Sequence, residues 1–199
     1  MTHFPVMEYF YSVQGEGKYT GVPAFFIRLG GCDVGCVWCD VKDSWDASQY
    51  PEMSVDQIVE EAKKHSTKLV ILTGGEPAMY DLSALTSKLK EAGYTVNIET
   101  SGAYPLIGDF DWVTFSPKKF KAPIPSAIER ADELKVVVFN KSDLAWAETF
   151  EKQVPENCLL YLQPEWDKRE KMEKVVFDYV LKYPKWRVSL QTHKYLGVD

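Results

Sequence analysis

Apolar, β-branched and aromatic residues recur in short runs along this chain, at positions 24–29, 69–72, 94–98, 112–115, 134–138, 159–162 and 187–190. Each run is too short for a helix and predicts a strand buried on both faces, as in a parallel sheet. Helical periodicity falls between several of them. Ser54 with Gln57 forms a capping-box signature ahead of Ile58, Val59 and Ala62 on an inner face. Asp81 caps a second helix carrying Leu82, Leu85 and Leu89, with Gly93 as its stop. Ser142 starts a third, through Leu144, Trp146 and Phe150. Asp167 and Glu170 predict a further capping box before Met172, Val175, Val176, Tyr179 and Val180, and Pro184 ends that helix. Strand–helix alternation predicts an α/β protein with a mostly parallel sheet. The 199 residues fall short of the ~250 of a full eight-unit barrel, so an abbreviated, open barrel is expected. No linker, repeat or composition shift divides the chain, and one domain over residues 1–199 is predicted.

Five of the strands run into polar clusters at their carboxyl ends. These are Thr73-Gly74-Gly75-Glu76-Pro77, Glu99-Thr100-Ser101-Gly102, Ser116-Pro117-Lys118, Gln163-Pro164-Glu165 and Gln191-Thr192-His193-Lys194. In parallel α/β folds, ligands bind at that end of the sheet. Any single cluster is accounted for by a strand leaving into a loop. Five together favour a built site.

Composition narrows the classes. Hydrophobic residues make up 45% and charged residues 26%, ordinary for a globular protein, which sets disorder aside. No apolar run approaches the ~18 residues of a membrane span, and residues 1–5 lack a basic start leading into an apolar stretch, so a cytoplasmic protein is expected. Lys plus Arg total 23 against 29 Asp plus Glu, a net charge of −6. Nucleic-acid binding draws on phosphate neutralisation, so the expected partner is a small molecule or a protein. The basic stretch 118–121 reads as a solvated loop.

Of four cysteines, Cys32, Cys36 and Cys39 share one loop, behind a predicted strand and Gly30-Gly31. The glycines let the backbone turn tightly toward a bulky ligand. Clustered thiols without a secretory signal point to a metal or redox centre rather than to disulfides. Thiolates suit zinc and iron–sulfur clusters. Spacing alone leaves open a zinc site completed by a distant histidine. Three thiolates on a four-iron cluster leave one iron free to chelate a ligand. Cys158, before a strand at the opposite end, reads as a small core residue. Trp45, Trp112, Trp146, Trp166 and Trp186 read as packing residues.

The Cys-x3-Cys-x2-Cys loop, with Trp38 before Cys39 and Gly74-Gly75-Glu76-Pro77 after a later strand, resembles the radical S-adenosylmethionine (SAM) superfamily and its partial TIM-like barrel. A narrower set resembles the 7-carboxy-7-deazaguanine synthase family of the queuosine and deazapurine pathway. It comprises 12–17 (Ser-Val-Gln-Gly-Glu-Gly), Arg28, Cys36-Val37-Trp38-Cys39-Asp40, the Glu99, Ser116 and Gln163 clusters, and the ending from Gln191 to Asp199. The resemblance runs from about residue 9 to the end of the chain.

That resemblance implies a [4Fe–4S] cluster on Cys32, Cys36 and Cys39, with SAM on the open iron. One electron from a flavodoxin-like donor would cleave SAM to methionine and a 5′-deoxyadenosyl radical. The implied substrate is 6-carboxy-5,6,7,8-tetrahydropterin, whose ring contracts with loss of ammonia while SAM is regenerated. The family works as a homodimer. SAM contacts are implied at Trp38, Cys39, Asp40, Gly75, Glu76, Ser116, Pro117, Lys118, Gln163 and Pro164. Substrate contacts are implied at Val13, Gln14, Gly15, Glu16, Arg28, Thr73, His193 and Asp199, the last through its terminal carboxylate. A carboxylate and an amide suit a guanine-like edge, and a guanidinium suits the substrate carboxylate.

One position departs from the family pattern. Val41 stands where the family has Thr or Ser, whose hydroxyl contributes to a Mg2+ site. Asp40 and Ser44 are the remaining oxygen donors nearby, and a weakened Mg2+ dependence is expected. The competing enzyme reading, a glycyl-radical activating enzyme, shares the cysteine loop but not the Gln14–Glu16 segment or the ending. The non-enzyme reading is a zinc-stabilised binding module.

Overall fold

The computed structural model describes residues 2–198. Its first strand, β1 (His3–Val13), runs antiparallel to β2 (Pro23–Leu29) and to the short β3 (Glu52–Ser54). Beyond β2 every neighbouring pair is parallel, through β4 (Leu69–Gly74), β5 (Thr95–Thr100), β6 (Trp112–Phe115), β7 (Glu133–Val138), β8 (Leu159–Pro164) and β9 (Trp186–Val188). The nine strands make one sheet in the order β3-β1-β2-β4-β5-β6-β7-β8-β9, open at its edges. Helices α1 (Val55–Lys63), α2 (Ser83–Glu91), α3 (Pro125–Ile128), α4 (Ser142–Glu151) and α5 (Arg169–Lys182) fall between strands, and α6 (Thr192–Leu196) follows β9. Among the described residues no helix is long and apolar enough to cross a membrane.

All seven expected strands form. The two additional ones lack the buried-strand signature, because β1 carries Glu8 and exposes Tyr9 and Tyr11, and β3 is an edge strand of three residues. The last run is a correction of another kind. Only Trp186 of β9 is buried, because β9 closes one edge of the sheet; Arg187, Val188 and Leu190 are exposed.

Helix α1 starts where local side chains supply partners for free N–H groups. Ser54 Oγ accepts from Gln57 N while Gln57 Oε1 accepts from Ser54 N, the expected capping box of α1. Its buried face holds Val55, Ile58, Val59 and Ala62, with Ile58 alone contributing about 1.5–3 kcal/mol. Asp81 accepts from Ser83 N ahead of α2. The expected Asp167–Glu170 box is absent. Residues 166–168 instead form a 3-10 turn, which moves the cap outward to Glu165, whose carboxylate accepts from Lys168 N at 3.1 Å.

Strands β2 and β4 to β8 alternate between two buried faces. Outward residues such as Ile27, Leu72, Ile98 and Val70 pack with α1 and α2, and Leu134, Val136 and Leu162 pack with α4 and α5. Inward residues differ along the sheet: Ala24, Phe26, Leu69 and Ile71 are apolar, whereas Asn97, Thr114, Glu133, Lys135 and Gln163 are buried and polar. Burying such groups is costly unless each finds a partner, so the polar half of the concave face marks the site. The sheet curls enough for the β1–β2 turn to cross it. Lys18 N donates to Glu133 on β7, Gly17 N to Ser189 Oγ just beyond β9, and Thr192 N to Gly15 O.

Candidate active site

The concave face opens into a cavity of about 690 Å³, within the range of small-molecule sites. Two groups of residues meet in it, one from the cysteine loop after β2 and one from the β1–β2 turn.

The cysteine loop is pinned on both sides. Gly31 N donates to Ser44 O at 2.6 Å and Cys32 N to Trp45 O at 3.2 Å. On the other side Gly75 N donates to Leu29 O, Glu76 N to Gly31 O, and the Tyr80 hydroxyl to Gly30 O. Gly31 sits at φ +98°, a conformation side chains disfavour. Gly75 packs so closely on Gly31 that a Cβ would strike its carbonyl. Cys32, Cys36 and Cys39 all line the cavity. Burial raises the Cys32 thiol and pushes Cys36 up to about 11. Buried thiols of this kind become thiolates when a metal takes the place of water. Among the described residues no three His, Cys, Asp or Glu side chains converge as a single-ion site needs. Three soft sulfur donors on one loop, all facing the cavity, fit an iron–sulfur cluster.

Around this loop stand most of the expected SAM residues. Trp38, Asp40, Gly75, Ser116, Lys118 and Gln163 line the cavity. Lys118 is half-buried, its ammonium held below its usual range by desolvation, and it donates to Ser116 O and Oγ at 2.6 Å. Pro117 and Pro164 do not line the cavity. Glu76 does, but its carboxylate is spent within the protein, on Ala78 N, Thr100 Oγ1, and Ser101 N and Oγ. The stretch 118–121 is not simply solvated: Lys119 pairs with Asp143, and Lys121 with Asp33. Trp45 and Trp166, expected only to pack, also reach the cavity wall.

The β1–β2 turn forms the other wall. Gln14 Oε1 accepts from Glu16 N at 3.0 Å, and Gln14 Nε2 donates to Glu99 Oε1 at 2.9 Å, which fixes the amide's orientation. Glu16 is ion-paired with Lys135. Burial pushes the Glu16 carboxyl up, and the adjacent ammonium more than reverses this, holding it at about 2. Val13, Gly15, Thr73 and His193 complete this wall. The His193 ring lies so close to Gly15 that a Cβ there would overlap it, and burial lowers its basicity. Arg28 is paired with Glu8 at 2.6 Å. Asp199 lies outside the described residues.

Asp40 and Ser44 line the same cavity without forming an oxygen cage. Asp40 pairs with Lys194 at 2.7 Å, and Ser44 Oγ donates to Val41 O at 2.6 Å. With Val41 contributing no donor, the residues present do not fit a dedicated Mg2+ site, whose octahedral shell wants free oxygens.

Lys135 escaped the sequence reading, as did the roles of Glu99 and Glu133. The signal was present: a lysine inside the apolar run 134–138, at an alternate position, must face either water or a built site.

The model of the radical SAM superfamily matches residues 26–135. The 7-carboxy-7-deazaguanine synthase of Flavobacterium psychrophilum is 54% identical over 98% of this chain and 92% of its own length. That of Synechocystis sp. is 48% identical over 98% and 93%, and that of Escherichia coli 33% over 98% and 99%. The crystal structure of QueE from Escherichia coli matches the fold with a TM-score of 0.86 at 30% identity, covering 94% of this chain and 93% of that one. Together with the pinned cysteine loop and the turn facing it, these likenesses establish that the chain belongs to the 7-carboxy-7-deazaguanine synthase family within the radical SAM superfamily.

Proposed function

We propose that the chain, working as one radical SAM domain, converts 6-carboxy-5,6,7,8-tetrahydropterin to 7-carboxy-7-deazaguanine, with loss of ammonia and SAM used catalytically, as a step of queuosine biosynthesis. The observation that carries this is one cavity lined both by three loop cysteines and by a turn presenting Gln14 and Glu16. When bound, the cluster and SAM supply a 5′-deoxyadenosyl radical; the protein positions it and shields it from water.

Cys32, Cys36 and Cys39 would hold the cluster. Trp38, Asp40, Gly75, Ser116, Lys118 and Gln163 line the wall assigned to SAM. Gln14 and Glu16 read the pterin's amide and amino edge. Arg28 takes the substrate carboxylate by leaving Glu8, whose side chain is 46% exposed. Glu8 returns to water, while Arg28, whose side chain is only 18% exposed, keeps a carboxylate partner through the exchange. His193, on the cavity wall, would contact the substrate, and the family resemblance assigns a substrate contact to the Asp199 carboxylate as well. A flavodoxin-like donor, a homodimer and a cytoplasmic location complete the reading.

The test is anaerobic iron–sulfur reconstitution, then incubation with dithionite, SAM and the carboxypterin, followed by mass spectrometry. The expected product is 7-carboxy-7-deazaguanine with SAM recovered. 5′-Deoxyadenosine without a deazapurine would mean a different substrate, and bound zinc in place of iron would overturn the reading. In the same assay, Mg2+ should change the rate no more than about threefold, a margin of ~0.7 kcal/mol. Val41→Thr, which restores a hydroxyl beside Asp40, is expected to widen that response. A full Mg2+ requirement unaffected by Val41→Thr would contradict this.

A further inference from the structure

Lys135 is the cation around which the turn-side wall is organised. Its side chain is 5% exposed, on the concave face of β7, and its ammonium is ion-paired with Glu16 and lies 3.7 Å from Glu99 Oε1. Glu133 sits two residues earlier on the same face and takes the Lys18 N–H. β7 thus grips the β1–β2 turn twice, by the backbone at Lys18 and by the side chain at Glu16. The carboxylates are held by different means. Burial raises the Glu133 carboxyl, so it carries its charge reluctantly. Glu16 and Glu99 share the one ammonium, and Glu99 is also tied to Gln14 at 2.9 Å. Lys118 donates to Ser116 instead, and burial disfavours the charged form of His193. An excess of carboxylate over ammonium in a buried wall is relieved by N–H donors from a ligand.

We propose that Lys135 is a positioning residue that keeps Glu16, with Glu99 beside it, as an ionised acceptor on the cavity wall, and so commits that wall to a ligand whose buried edge presents N–H donors. This rests on the pterin reading above, since a 2-amino-4-oxopyrimidine edge carries such donors. A 2-oxo analogue replaces the amino donor with an acceptor facing a carboxylate.

The experiment measures binding to the reconstituted holoenzyme with SAM and no reductant, by calorimetry. The two ligands are 6-carboxytetrahydropterin and its 2-oxo counterpart, and the proteins are wild type, Lys135→Met, Glu16→Gln and the double variant. Wild type should prefer the amino compound by at least about 100-fold, in line with the rejection shown by sites built to pair a specific polar group. Lys135→Met should reduce that preference to under about tenfold while leaving SAM affinity and iron content unchanged. The double variant should bind no more weakly than Lys135→Met, because the lysine acts through Glu16 and the losses do not add. Additive losses, or equal losses for SAM and both pterins, would assign Lys135 a merely structural role and overturn the proposal. Should Lys135→Met fail to fold, the double variant, which leaves Glu16 uncharged, is compared with Glu16→Gln alone: affinities within about tenfold support the proposal, and a larger gap overturns it. Wild type binding neither pterin would sink the substrate reading and this inference together. Wild type and Lys135→Met discriminating equally well would sink this inference alone.

Discussion

Serine in place of Cys32, Cys36 or Cys39 is expected to abolish turnover and strip iron from the protein, whereas serine in place of Cys158 leaves iron content at the wild-type level. The four residues are chemically identical, and the fold separates them. The three loop cysteines face one cavity, on a segment held by backbone hydrogen bonds to Pro5 on β1, to Ser44, to Trp45 and to Glu76. A serine hydroxyl ionises far less readily than a thiol and is a poor ligand for iron in this setting. Since only three cysteines are available there, losing one leaves too few ligands, and the expected loss of activity exceeds about 10⁴-fold, or ~5.5 kcal/mol. Cys158 lies among Leu134, Leu160 and Val136, and burial pushes its thiol up to about 12. Its sulfur behaves as a small apolar group. Serine there buries a hydroxyl and should cost about 1–3 kcal/mol of stability, seen as a lower urea midpoint without loss of the brown colour. Iron per chain and absorbance near the thiolate-to-iron bands would decide the matter. Iron loss in Cys158→Ser, or full iron in any of the other three, would refute the division.

Much of this architecture is legible in the residue pattern, and the exceptions have physical causes. Strands buried on both faces write themselves as continuous apolar runs, which is why β4 and β6 stand out in the sequence. β1 does not, because a strand with one open face mixes Glu8, Tyr9 and Tyr11 among its apolar residues. The position of the cavity is legible for a related reason: parallel strands all end on the same side, so polar clusters after β4, β5, β6 and β8 converge. Which member of each cluster faces the cavity is not legible. Ser116 and Pro117 are adjacent, yet only Ser116 lines the wall, since successive residues leaving a strand point to opposite sides. Lys135 illustrates the remaining limit. Its partners Glu16 and Glu99 lie 119 and 36 residues away, and only the curl of the sheet brings them together.

Glu76 poses the sharpest choice between a ligand contact and a structural brace. Family resemblance places it at the SAM site, while its carboxylate is 1% exposed and fully engaged within the protein. It accepts from Ala78 N at 3.1 Å, Thr100 Oγ1 at 2.5 Å, Ser101 N at 2.8 Å and the Ser101 hydroxyl. These bonds tie the end of β4 to the end of β5, while the Gly75 and Glu76 N–H groups tie the same corner to β2 and the cysteine loop. Removing the carboxylate strands several buried donors at once, each costing about 1–3 kcal/mol. Glu76→Ala should therefore lose about 4 kcal/mol or more, a large share of the ~5–15 kcal/mol that holds a domain together. Glu76→Gln keeps one acceptor oxygen, and the Thr100 and Ser101 hydroxyls can turn to accept from its amide, so a loss of about 2 kcal/mol is expected. Urea unfolding of the two variants, set beside their SAM affinities, separates the alternatives. A brace shows falling stability in the order glutamine then alanine, with SAM affinity following stability. A direct contact shows SAM affinity falling while the urea midpoint stays within about 0.5 kcal/mol of wild type. The four internal bonds leave the carboxylate little capacity for a ligand, so the first pattern is the expected one.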